Sequence, residues 1–143
     1  MGRRYCGSDC NGTALIDTGT SYIVGPADAV NQLNARLGAV YDAILGLYKL
    51  ECDTVDFLPD VEFVLGEAAT SFKLTSDDYV LLIDGNCFSA IYSIYGRFDW
   101  ILGNTFMYVT QLHSIIILIN MYYRNIMRVY TSPQIQVLRR IRH

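Results

Sequence analysis

The sequence predicts an all-β domain, built mainly from antiparallel strands with one or two short helices. Three observations predict it. Short apolar runs recur between turn residues through residues 1–107, the spacing of sandwich and barrel domains. Turn signals such as Leu58-Pro59-Asp60 and Asp84-Gly85-Asn86 punctuate those runs. One stretch alone, after Pro26, carries the 3.6-residue period of an amphipathic helix.

Taken in order, Tyr5 to Gly12 is rich in turn residues, and Thr13 to Ile16 is a short apolar strand that ends at Asp17. Ser21 to Val24 is a second strand. Gly25-Pro26 opens a helix: proline suits the first helical position, Val30, Leu33 and Leu37 share a face, and Gly38 suits the end. Leu47 to Cys52 partly alternates, as a half-buried strand does. Val61 to Leu65 and Ser71 to Leu74 flank a break at Gly66-Glu67 and read as a hairpin. The run Tyr79 to Ile83 turns at Asp84-Gly85-Asn86 into a partner strand from Cys87 to Tyr92. Trp100-Ile101-Leu102 is a short buried strand that ends in Gly103.

The 143 residues, 52% hydrophobic and 17% charged, suit one globular domain. A domain of this size buries roughly two-thirds of its unfolded surface. The net charge of -3 makes no case for nucleic acid or an anionic membrane. It is unevenly placed. Residues 1–107 hold all 14 acidic residues and six basic ones, for a net of -8, whereas residues 108–143 hold five arginines and no acid, for a net of +5. Those last 36 residues also lack Gly and Ala. Their longest apolar run, Ile115 to Ile119, is far below the roughly 20 residues that span a bilayer, so no membrane span is expected. The first residues carry no apolar signal-peptide core.

Chemistry narrows by exclusion. The only histidines are His113 and His143, both in the basic tail, so residues 1–107 contain no Ser–His or Cys–His pair and no His-based metal site. Gly19-Thr20-Ser21-Tyr22 lacks the lysine of a phosphate loop. No cofactor and no metal is expected, and no nucleic acid. The four cysteines, at 6, 10, 52 and 87, are buried thiols in a reducing compartment or two disulfides in an oxidising one, with three possible pairings.

What remains is Asp17-Thr18-Gly19-Thr20-Ser21. An acid ends one apolar strand, two hydroxyls flank a glycine, and a second apolar strand leaves. An Asp in such a turn can simply bond its own backbone. The longer string, Leu15-Ile16-Asp17-Thr18-Gly19-Thr20-Ser21, then Tyr22-Ile23-Val24 and Gly25-Pro26, is far more restrictive. It resembles the active-site loop of the pepsin-like aspartic endopeptidases. The likeness extends to a cysteine pair four apart just ahead of the loop. It also includes the segment Leu58-Pro59-Asp60-Val61-Glu62-Phe63 between Cys52 and Cys87, and the Trp100-Ile101-Leu102-Gly103 strand that threads behind the loop. The resemblance covers about residues 5–107 and is specific to the family's carboxy-terminal lobe.

The resemblance implies disulfides Cys6–Cys10 and Cys52–Cys87, hence a secreted or lysosomal setting within the secretory pathway. It implies Asp17 as one of two catalytic carboxylates, the dyad of this family. The two share a proton because adjacent charges cannot both ionise cheaply. One carboxylate activates a water that attacks the peptide carbonyl, and the other protonates the carbonyl oxygen. Thr18 would bond across to the other lobe's loop, and Gly19 would let backbone pass close to the carboxylate. The Thr20 hydroxyl would bond the outer carboxylate oxygen, and Ser21 would contact substrate backbone. Leu15 and Ile101 either line a substrate pocket or belong to the core.

The chain holds one such loop, and the chemistry needs two. A polypeptide substrate and a first lobe, or a second copy as in retroviral proteases, are the expected partners; a non-catalytic fragment is the alternative. At the other end Asn104 stands where the family usually has an acid, and the closing strands, which end in Gly-apolar-Ala, find no match. Residues 108–143 are therefore expected to lie outside the family fold, as translated intron or a shifted reading frame would.

Overall fold

The computed structural model describes residues 3–5, 13–17, 19–65, 70–94, 96, 100–109, 129–130 and 134–138. The strands fall into three sheets. The first has the order β1 (Arg3–Tyr5), β13 (Gln134–Leu138), β6 (Asp60–Leu65), β7 (Thr70–Leu74). The second runs β10 (Ile91–Ser93), β3 (Ile23–Gly25), β11 (Trp100–Leu102), β2 (Thr13–Ile16), β12 (Val129–Tyr130). The third is a meander of β4 (Val40–Asp42), β5 (Leu47–Leu50), β9 (Asn86–Ser89) and β8 (Val80–Ile83). Among the described residues, helices are few and short: α1 (Ala27–Arg36), a 3-10 helix (Cys52–Phe57), α2 (Ser76–Tyr79) and α3 (Asn104–Val109).

The second sheet sets the architecture. Strand β11 lies between β2 and β3, parallel to the first and antiparallel to the second. The chain that leaves β2 and returns as β3 therefore loops around the end of β11. Residues alternate in and out along β2: Ala14 and Ile16 are buried, and Leu15 is 38% exposed. All three residues of β11 are buried, as a central strand requires.

Beneath this sheet lies an aromatic cluster. Phe63 packs edge-on against both Trp100 and Phe106, with centroids 5.5 and 5.8 Å away, and Phe72 meets Phe106 at 5.3 Å. These arrangements suit the ring quadrupoles. Helix α1 packs through Val30 and Leu33, and its buried Asn34 donates to Ile91 O at 2.9 Å, tying the helix to β10. Pro26 takes the cap position rather than the first helical one, and its carbonyl accepts from Val30 N. The left-handed turn that ends the helix falls at Gly38, with φ at +74°.

Other local choices differ from the sequence expectation, and the second strand starts at Ile23, after a bend at Ser21 and Tyr22. Tyr79 belongs to α2, not to the following strand, because Thr75 and Asp78 form a reciprocal capping box that starts a helical turn. The strand after Asn86 stops at Ser89; past Ala90 the chain crosses to the second sheet as β10. A disulfide joins Cys52 to Cys87. Cys6 and Cys10 lie outside the described residues.

Candidate active site

Asp17 follows the last residue of β2, and its position is set by backbone before side chains matter. Its N–H donates to Leu102 O at 3.1 Å, which continues the β2–β11 pairing by one residue. Its own carbonyl accepts from Thr20 N at 3.3 Å and closes the turn. The side chain is half-buried. Oδ1 accepts from Gly19 N at 2.9 Å, and Oδ2 accepts from the Thr20 hydroxyl at 2.8 Å. Both carboxylate oxygens are thus held by the loop that carries them, which fixes the rotamer and the direction of the group. Hydrogen bonds to an ionised acceptor are about twice as strong as neutral ones.

Glycine at 19 leaves room for this geometry. A Cβ there would sit 3.2 Å from Asp17 Oδ1 and press on the oxygen that the Gly19 amide holds. Thr18 lies outside the described residues. Ser21 is exposed on the bend before β3, and Ile101 is in the core at 4% exposure.

The loop is clamped from behind by the start of α3. Gly103 N donates to Tyr22 O at 3.1 Å, Asn104 N to Thr20 O at 2.8 Å, and Thr105 N to Ser21 O at 3.0 Å. The Thr105 hydroxyl also reaches Ser21 O at 3.0 Å. Three consecutive carbonyls of the loop are therefore satisfied by three consecutive amides, which would otherwise be unpaired at a helix start. This approach requires glycine at 103: a Cβ would lie 2.2 Å from Thr20 O and 2.4 Å from Tyr22 O. Sequence reasoning placed the Trp100–Gly103 strand behind the loop but missed the clamp by Asn104 and Thr105. A polar Asn-Thr pair directly after a buried strand was the available signal.

Among the described residues, no group of His, Cys, Asp or Glu gathers to hold a metal ion, and no helix is long and apolar enough to cross a membrane. The site is one carboxylate, presented at a strand end, held by the Gly19 amide and the Thr20 hydroxyl and buttressed from below.

Residues 2–113 match the family model described as eukaryotic aspartyl protease. Cathepsin E of Mus musculus is 36% identical over 121 residues, which cover 78% of this chain and 28% of that protein. Cathepsin D of Canis lupus familiaris is 38% identical over 110 residues, covering 71% and 26%. The chain therefore spans about a quarter of the length of the curated relatives it matches. Among solved structures, the aspartic proteinase from Irpex lacteus superposes with a TM-score of 0.56 at 17% identity, over 88% of this chain and 36% of that one.

Proposed function

The chain belongs to the eukaryotic aspartyl protease family, and from that premise we propose that it supplies the second catalytic aspartate loop of an acid endopeptidase. Asp17 is the carboxylate. The observation that carries the reading is the Asp17 carboxylate itself, held on Oδ1 by the Gly19 amide and on Oδ2 by the Thr20 hydroxyl at the end of a buried strand.

The chemistry follows from pairing this group with a second aspartate from a first lobe. Set a few ångströms apart, the two carboxylates bind one proton between them and titrate as a unit. The ionised member takes a proton from a bound water as that water attacks the scissile carbonyl. The protonated member donates to the carbonyl oxygen as charge builds there. No covalent intermediate forms, and the geminal diol collapses as the leaving amine is protonated. Acid conditions favour the singly protonated pair, so the enzyme works best below neutrality.

The loop residues have distinct parts in this reading. Gly19 and Thr20 hold the carboxylate in one orientation. Thr18 bridges to the other lobe's loop, and Ser21, exposed beside the site, contacts the substrate backbone. The substrate is a polypeptide with apolar side chains either side of the cleaved bond. The Cys52–Cys87 disulfide supports an oxidising setting, secreted or lysosomal.

The test is complementation. The chain is assayed on an internally quenched apolar peptide at acid pH, alone over a range of concentrations and then with a first lobe of a related enzyme added. Activity that depends on the added lobe supports the reading. Activity of the chain alone that rises with the square of concentration would mean that two copies pair their Asp17 loops. No cleavage in any arrangement would make the chain a non-catalytic lobe.

A further inference from the structure

Residues 108–143 differ from the rest of the chain in composition and in the sign of their charge, and no more than their first six fall within the segment that the family model matches. Two stretches of this tail nevertheless pair with strands of the lobe. Strand β13 lies between β1 and β6, and β12 lies on the outer edge of β2.

The register of β13 is the informative part. Ile135 stands opposite Phe63 and Val137 opposite Val61, and both partners are fully buried. The intervening positions, Gln134 and Gln136, stand opposite Val64 and Glu62. Directly opposed residues share a face of the sheet, so positions 135 and 137 fall on the core face, and the two glutamine positions fall on the other with Leu138, which stands opposite Asp60. A slip of one residue would put glutamine on the core face, which is why such a pattern specifies register. Strand β12 matches in the same way, with Val129 opposite the buried Ala14.

The edges these strands fill are costly to leave open. Strand β6 carries core residues and would otherwise present a free row of backbone donors and acceptors. Among the described residues, β1 has no strand partner other than β13. The superposition on the solved proteinase reaches 88% of the chain, further than the 2–113 segment.

We infer that residues 129–138 are the closing strands of this lobe. They stand in, with a sequence foreign to the family, for the strands that the family pattern would place after α3. Strand β13 occupies the β6 edge and holds β1 on the sheet, and β12 flanks the strand that delivers Asp17. This inference concerns the chain's own fold and stands whether or not the loop is catalytic.

Hydrogen exchange on the full chain tests it, with Ile135→Ala and Gln136→Ala as neighbouring variants of opposite register. Ile135→Ala is expected to lower protection of the amides of 61–64 and 3–5 by roughly tenfold or more. Gln136→Ala should leave them within about twofold, and the β8–β9 hairpin amides serve as the internal check that the lobe is folded. Equal effects of the two variants, or unprotected 61–64 amides in the unaltered chain, would overturn the inference. Cross-linking gives a second reading that does not depend on stability. Cysteines introduced by Glu62→Cys and Gln136→Cys should join, and Glu62→Cys with Ile135→Cys should not; the reverse preference would also overturn it.

Discussion

Replacing Gly103 by alanine should be among the most damaging single-methyl additions to this chain. The new Cβ would lie 2.2 Å from Thr20 O, 2.4 Å from Tyr22 O and 2.7 Å from Thr20 C. Ordinary carbon contacts settle near 3.5 Å, so backbone must move by roughly 1 Å. Both sides of the contact are backbone, so no side chain can swing aside. The movement strains three hydrogen bonds at once, from the amides of 103, 104 and 105 to the carbonyls of 22, 20 and 21. At about 1 kcal/mol for each bond, plus about 1–3 kcal/mol for overpacking, the cost is about 4–6 kcal/mol. That is a large share of the roughly 5–15 kcal/mol available to a domain. Trp100, the chain's single tryptophan, packs on Phe63 in the core and reports unfolding by fluorescence. In urea the midpoint should fall by about 1–3 M. Gly38→Ala is the control: its φ is +74° but a Cβ there meets nothing within 4 Å, so it should cost only about 1–2 kcal/mol. If Gly103→Ala costs no more than Gly38→Ala, the clamp does not hold the loop as described.

Three further outcomes follow from the same structure. Thr20→Val removes the donor to Asp17 Oδ2 and, in a complemented enzyme, should lower kcat/KM by about tenfold, with Thr20→Ser restoring most of it. Replacing Cys52 and Cys87 by serine opens a link of sequence separation 35 and should cost about 3–4 kcal/mol of stability, measured by the shift in urea midpoint. Tyr48 and Tyr92 are both held above the ordinary phenol value, first because burial disfavours the phenolate. At Tyr48 the hydrogen bond with Ser93 opposes the shift and Tyr41 adds to it; at Tyr92 the neighbour Tyr22 adds to it. A raised folded-state pKa means that the stabilising effect is complete below pH 10 and is lost as pH rises above it. Thermal melts from pH 9 upward should show that decline, and Tyr48→Phe with Tyr92→Phe should flatten it.

The parts of the fold that were legible in the sequence are those with local causes. The β6–β7 and β8–β9 hairpins follow from apolar runs set around turn residues, and α1 follows from its proline, its apolar face and Gly38. The Asp17 loop was legible because its chemistry compresses into a short string. Other features depend on contacts remote in sequence. The insertion of β11 between β2 and β3 joins residues some 80 positions apart, and hydrophobic pattern alone does not announce it. Tyr79 followed the capping box at Thr75–Asp78 into a helical turn, although its apolar neighbours suggested strand. The tail shows the limit most plainly. Composition set it apart, whereas the period-two match of Ile135 and Val137 to Phe63 and Val61 becomes visible only once β6 is in place.

Asp17 is proposed as one half of a catalytic pair, and replacing one of its carboxylate oxygens tests that most directly. Asp17→Asn keeps the shape of the side chain and removes its capacity to share and transfer a proton. It should be made in the chain complemented by a first lobe, with Trp100 fluorescence confirming that the fold is intact. The expected result is a fall in kcat/KM on an apolar peptide at acid pH of about a thousandfold or more. Proteolysis within about twofold of the unaltered protein would contradict a catalytic role for Asp17.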